Sequence, residues 1–187
     1  KAAPDMFASK LILMEMEPEK VEVKLPNGNT DSTTTSDRQR AHYWDNTDLG
    51  DARIVHAPVF QNRLEGLMAV GVAQNADAIT NYLDSLISAP GTAEAVKQFI
   101  VNTAARKYAE LPTQGLGAVC VRLTQKHVCT GKGNMPAPGW TPLDHWQKLC
   151  VKAAIKASLI PGAASRDIVL ADTTGKKWIS MHKMPEP

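Results

Sequence analysis

The side chains best suited to chemistry gather in the second half of the chain: Cys120, His127, Cys129, His145 and Cys150. Zinc takes four nitrogen or sulfur ligands in a tetrahedron, and its sites carry characteristic short spacings. No CxxC, HxxxH or HExxH occurs, and His145 and Cys150, five residues apart, fall on different faces of a helix. No metal site and no cofactor is assigned. A Cys–His nucleophile needs a thiolate whose pKa is lowered by a cation or a helix N-terminus. Cys129 with His127 or His145 is the pairing that a Cys/His-dependent hydrolase or transferase would use. Cys120 falls in strand-like surroundings, and Cys150 reads as a buried structural thiol on an apolar helical side.

Phosphate and calcium loops fail on spacing. A GxxxxGK[ST] loop cradles phosphate with backbone N–H groups, but the first glycine position is Lys126 before Gly131-Lys132 and Leu170 before Gly175-Lys176. An EF-hand starting at Asp45 has Gly50 at position six but His56 where the bidentate glutamate belongs. Capping and turn formation account for those acids more simply. No catalytic residue is assigned.

Cations remain. In "WQKLCVKAAIKASLIPG" (146–162), Lys148, Lys152 and Lys156 recur every four residues. At about 100° per residue, Trp146, Leu149, Cys150, Ala153, Ala157 and Ile160 form one apolar face. Val151, Ile155 and Leu159 form a second apolar strip beyond the lysines. A helix apolar on two sides is usually covered on both. Either it is a central helix whose lysine stems lie along apolar surface, or the second strip is an intersubunit surface rimmed by lysines.

The net charge of +2 is unevenly spread. Residues 1–117 carry 11 Lys/Arg against 15 Asp/Glu, and residues 118–187 carry 10 against 4. Such asymmetry suits an anionic partner or a subunit whose two ends attract. For nucleic acid, Arg122, Lys126, Lys132, Lys176 and Lys177, with the lysines of the helix, would track phosphates. No RNP, KH or zinc-finger pattern accompanies them, and Trp178 alternates as though it faced a sheet core.

The elements that must position these groups follow from punctuation and period. "KLILMEMEPEKVEVKLPNG" reads as two strands, an N-terminal hairpin, because Val21, Val23 and Leu25 alternate with charged residues. Residues 29–37 read as a flexible polar loop. Arg53 to Phe60 has strand character stopped at Pro58, and residues 62–73 have helical spacing weakened by two glycines. Asn75 caps a helix with Ile79, Leu83 and Leu86 buried; Thr92 caps the next, which places Val96, Phe99 and Ile100 inward. "AVCVRL" (118–123) is a strand candidate. Thr141-Pro142-Leu143-Asp144 starts the lysine helix, and "DIVLADTTGKKWISMHK" forms a C-terminal hairpin.

The sum is a single domain over residues 1–187, of class α+β: helices packed on a mainly antiparallel sheet with an N-terminal and a C-terminal β-hairpin. At 43% hydrophobic and 21% charged, the 187 residues can build an ordinary core. The longest apolar run, near 66–73, is far short of the roughly 20 residues that span a bilayer, so no membrane insertion is expected. Three cysteines and no Asn-x-Ser/Thr favour a reducing compartment, the cytoplasm, with free thiols; one disulfide plus one free thiol is the other arrangement open to them. The charge asymmetry and the missing catalytic constellation favour a non-enzymatic structural subunit. It would form a homo-oligomer or larger complex through Val151, Ile155, Leu159, Lys148, Lys152 and Lys156, as a viral or secretion-type component would. Nucleic-acid binding is the alternative, and Cys/His chemistry the third.

Overall fold

Helix α5 (Glu94–Ala109) is the buried axis of the molecule: Val96, Gln98, Ile100, Val101, Thr103, Ala104, Ala105 and Tyr108 are all buried, so nearly every side of it is covered. A computed structural model describes residues 6–16, 21–109, 115–129, 136, 139, 142–160, 163, 167–171, 174–180 and 183. Among these are seven α-helices, which supply most of the core, and the sheet is one two-stranded hairpin. The chain is therefore mainly helical, not helices laid on an antiparallel sheet.

Before α5 come α1 (Phe7–Glu15), α2 (Ser32–Ala41), a 3-10 turn (Ala52–His56), α3 (Pro58–Gly66), a π-turn (Leu67–Gly71) and α4 (Ala76–Ser88). After it come α6 (Gly117–Thr124), a second π-turn (Gln125–Cys129), α7 (Leu143–Ala157) and the strands β1 (Val169–Ala171) and β2 (Trp178–Ser180). Helix α5 packs on α6, α4 and the 3-10 turn, and α6 packs in turn on α4 and α7.

Four strand or loop expectations give way to helix. The stretch expected as the first strand of an N-terminal hairpin is α1, which buries Met14 and rests Phe7 and Leu11 on the core. A short continuous apolar run does not separate strand from helix by period, and packing against α3 decides for helix. Residues 23–31 only fold back once, through a single Lys24–Thr30 bridge around Gly28 at φ 84°. The supposed polar loop at 29–37 enters α2 at Ser32, because Asp31 accepts hydrogen bonds from the Thr33 and Thr34 amides, both at 3.1 Å. Arg53 to Phe60 splits into the 3-10 turn and α3, with Pro58 in the first turn, where its missing N–H costs nothing.

"AVCVRL" is the fourth. Its β-branched valines suggest a strand, yet α6 buries Ala118, Val119, Cys120, Val121, Leu123 and Thr124 between its neighbours. Residues apolar on every side are as well covered in a central helix as in a central strand, and tertiary packing overrides a weak propensity.

Helix α4 follows its signals: the Asn75 side chain accepts from the Ala78 amide at 2.8 Å, and Ile79, Leu83 and Leu86 are buried. Thr92 instead closes α4, its hydroxyl donating to the Leu86 carbonyl at 3.1 Å. Aromatic rings knit the lower core, Trp44 against Phe60 and Phe60 against Phe99 at 5.8 and 5.5 Å between centroids. The C-terminal hairpin pairs Val169 with Ser180, Leu170 with Ile179 and Ala171 with Trp178, and no residue of either strand is buried.

Candidate functional site

Helix α7 begins at Leu143, with Pro142 flanking it and Asp144 in its first turn; Thr141 lies outside the described residues. Trp146 and Ala153 are buried, and Leu149 and Cys150 pack on the core. That face is the one the helical period assigns to the interior. Opposite it, Val151 is 61% exposed, Ile155 50% and, just past the helix end, Leu159 76%. The second apolar strip is thus present and lies open in the single chain.

The lysines beside it have three different fates. Lys148 pairs with Asp144 one turn back, at 3.0 Å. Lys156 turns inward and donates to the Ala109 carbonyl at the C-terminal end of α5, an end that lacks intrahelical partners. Lys152 is exposed beside Ile155. Lys156 therefore serves the fold, and the solvent rim is Lys148 and Lys152.

A disulfide joins Cys129, at the end of the second π-turn, to Cys150 on the inner side of α7. The expectation of free thiols is overturned for these two, and with it the thiol argument for a reducing compartment. Spacing alone left this pairing open among three cysteines. Cys120 keeps its thiol, but it is buried, and burial pushes its pKa up, away from the nucleophilic form. His127, which the Cys/His reading needs, is held by Asp84 at 2.8 Å, and His145 is exposed on the first turn of α7.

The basic residues expected to meet phosphate are also placed. Arg122 pairs with Asp77, and Lys126 with Asp84 at 2.7 Å. These pairs run from α6 and its π-turn to α4, so the basic half of the chain meets the acidic half inside one molecule. Lys132 lies outside the described residues. Lys176 and Lys177 precede Trp178, which is 70% exposed and does not face a sheet core. Val169 and Leu170 on the facing strand, and Ile168 just before it, are exposed as well.

Among the described residues, no three His, Cys, Asp or Glu side chains gather as a metal ion would require. None of their helices is long and apolar enough to cross a membrane. The acids of 45–51 turn and cap: Asp51 caps the 3-10 turn and binds Arg53 and Lys10, while Asp48 binds Lys10 at 2.7 Å and accepts from the Gly50 amide. The hydrogen bonds from Arg53 and then Lys10 hold Asp51 far below the usual carboxylate range.

One group of residues escaped the sequence reading. Arg38, Arg40 and Arg63 converge on a cavity of about 740 Å³ between α2, α3 and the first π-turn. They come from two segments with no shared motif, so only the fold brings them together. No protein-family model matches this chain, and no match to a curated protein or a solved structure is found.

Proposed function

We propose that the chain is a non-enzymatic assembly subunit, and that the outer face of α7 packs against the same face of a second copy. The observation that carries this is the open row of Val151, Ile155 and Leu159 directly opposite the buried Trp146 and Ala153. Contiguous exposed apolar surface marks interaction sites more often than scattered single residues do. A two-fold pairing is favoured because it is the commonest closed symmetry and matches a surface to itself. In such an antiparallel pair the helix dipoles oppose. The hairpin adds support: an isolated two-stranded hairpin is marginal in water, and Ile168, Val169, Leu170 and Trp178 are left uncovered in one chain.

The test is molar mass by light scattering across protein concentration, at low and high salt. A mass above 20.3 kDa that rises with concentration is expected. Ile155→Glu with Leu159→Glu then leaves a folded monomer, because neither side chain is buried and surface changes usually cost within about 0.5 kcal/mol. A monomer at every concentration, or a double variant that assembles like the parent, overturns the reading.

The exposed Trp178 beside Lys176 and Lys177 supports a second reading, base stacking with phosphate contact. It is the weaker one, since Arg122 and Lys126 already have carboxylate partners. Quenching of Trp178 fluorescence by oligo-dT, lost in Trp178→Ala and in high salt, would favour it.

A further inference from the structure

We propose that the cavity between α2, α3 and the first π-turn binds a small amphipathic anion, a carboxylate or phosphate monoester with an apolar tail. The residues involved are not those of the assembly reading, so either can fail alone. The cavity volume of about 740 Å³ falls within the range of small-molecule pockets. One side is cationic: Arg38, Arg40 and Arg63 line it, with Glu15 the one carboxylate among the described lining residues. The other is apolar, with Val21, Leu67, Val70 and Val72.

Arg63 is the central observation. Its guanidinium donates to the Met14 carbonyl at 2.6 Å and to the Tyr43 carbonyl, and lies 4.6 Å over the Tyr43 ring. These contacts fix its position but are all neutral. No described acid pairs with it, although it is partly buried and its Nε is buried without a hydrogen-bond partner. A partly desolvated charge without a counter-charge is costly, and an anion in the cavity would supply one. Arg40 is oriented by the Gly71 carbonyl at 3.0 Å and by Asp37, leaving donors on its second terminal nitrogen. Arg38 is exposed on the same helix.

The apolar wall has its own signature. Val70 is 88% exposed on the π-turn at the cavity's edge. π-Turns inside helices cost regular hydrogen bonding and occur often at functional sites. Here the turn is anchored from behind by the buried Tyr108 hydroxyl, which donates to the Met68 carbonyl at 3.2 Å. An apolar side chain held out beside fixed guanidinium groups suits a ligand with one charged end and one greasy end.

The experiment is calorimetric titration of the full chain with decanoate and with decyl phosphate, with 1-decanol and inorganic phosphate as controls. Saturable one-to-one binding of either anionic amphiphile is expected, and the tighter of the two identifies the head group. Arg63 also braces the fold, so the variants are Arg38→Glu and Val70→Asp, both at exposed positions. Each should weaken binding about tenfold, corresponding to about 1.4 kcal/mol, with an unchanged far-ultraviolet circular dichroism spectrum. Absence of saturable binding overturns the proposal. So does decanol or inorganic phosphate binding as tightly as the amphiphiles, or unchanged affinity in both variants.

Discussion

Asp84 carries more of the fold than its sequence neighbourhood suggests. It receives Lys126 at 2.7 Å and His127 at 2.8 Å, and so ties α4 to the turn that follows α6. Burial opposes its charge, but the hydrogen bonds from Lys126 and His127 together outweigh burial and hold its pKa below the ordinary 3.8. A carboxyl depressed in the folded state adds stability above its unfolded pKa and loses it as pH falls through the folded value. The chain should therefore lose stability on acidification below about pH 4. Asp84→Asn should cost about 1 kcal/mol at neutral pH and flatten that acid limb. Urea midpoints measured from pH 7 down to the acid transition check this, and an acid limb identical to the parent's would remove Asp84 from the account. Tyr108→Phe is a milder deletion: the Met68 carbonyl loses one of its two donors but keeps the Gln74 side-chain amide at 3.2 Å, at a cost of about 1 kcal/mol.

At the scale of elements, the helices with caps and a stripe could be read directly, and the others could not. Asn75, Asp77 and the Ile79–Leu83–Leu86 spacing specify α4 locally, and the inner face of α7 follows from period alone. The C-terminal hairpin was also visible, from its turn and flanking apolar residues. By contrast α1 and α6 are short apolar runs whose period is ambiguous, and what makes them helices is the neighbour each packs on. Helix α2 has no apolar stripe at all; it rests on one cap at Asp31 and its contacts near the cavity. The arginine cavity was illegible for a similar reason, since Arg38 and Arg63 share no spacing that a period could detect. The disulfide is the strongest single brace in this group. Its two cysteines are 21 residues apart, and closing a loop of that size is worth about 3 kcal/mol. Cys129→Ala with Cys150→Ala should lower the thermal midpoint by roughly 6–12 °C in a chain this long. Scanning calorimetry with and without reductant gives the check: reductant should lower the parent and leave the variant unmoved.

For the whole molecule, the two oppositely charged halves find each other at home. Arg122–Asp77, Lys126–Asp84 and His127–Asp84 all cross from one half to the other within a single chain. Attraction between copies then has less charge to draw on, and the assembly proposed for α7 should respond to apolar substitutions more than to salt. Raising ionic strength from 0.05 to 0.5 M, by order of magnitude a change from weak to strong screening, should shift the monomer–oligomer midpoint less than Leu159→Glu does. Light scattering on both samples compares the two effects.

The bond between Cys129 and Cys150 also decides what a protease can do to this molecule. Backbone cleaved anywhere between those two residues yields fragments that stay covalently joined. The C-terminal piece, carrying most of α7 and the hairpin, is released only when the sulfurs are reduced. On a gel, such a nicked chain runs as one band without reductant and as two with it.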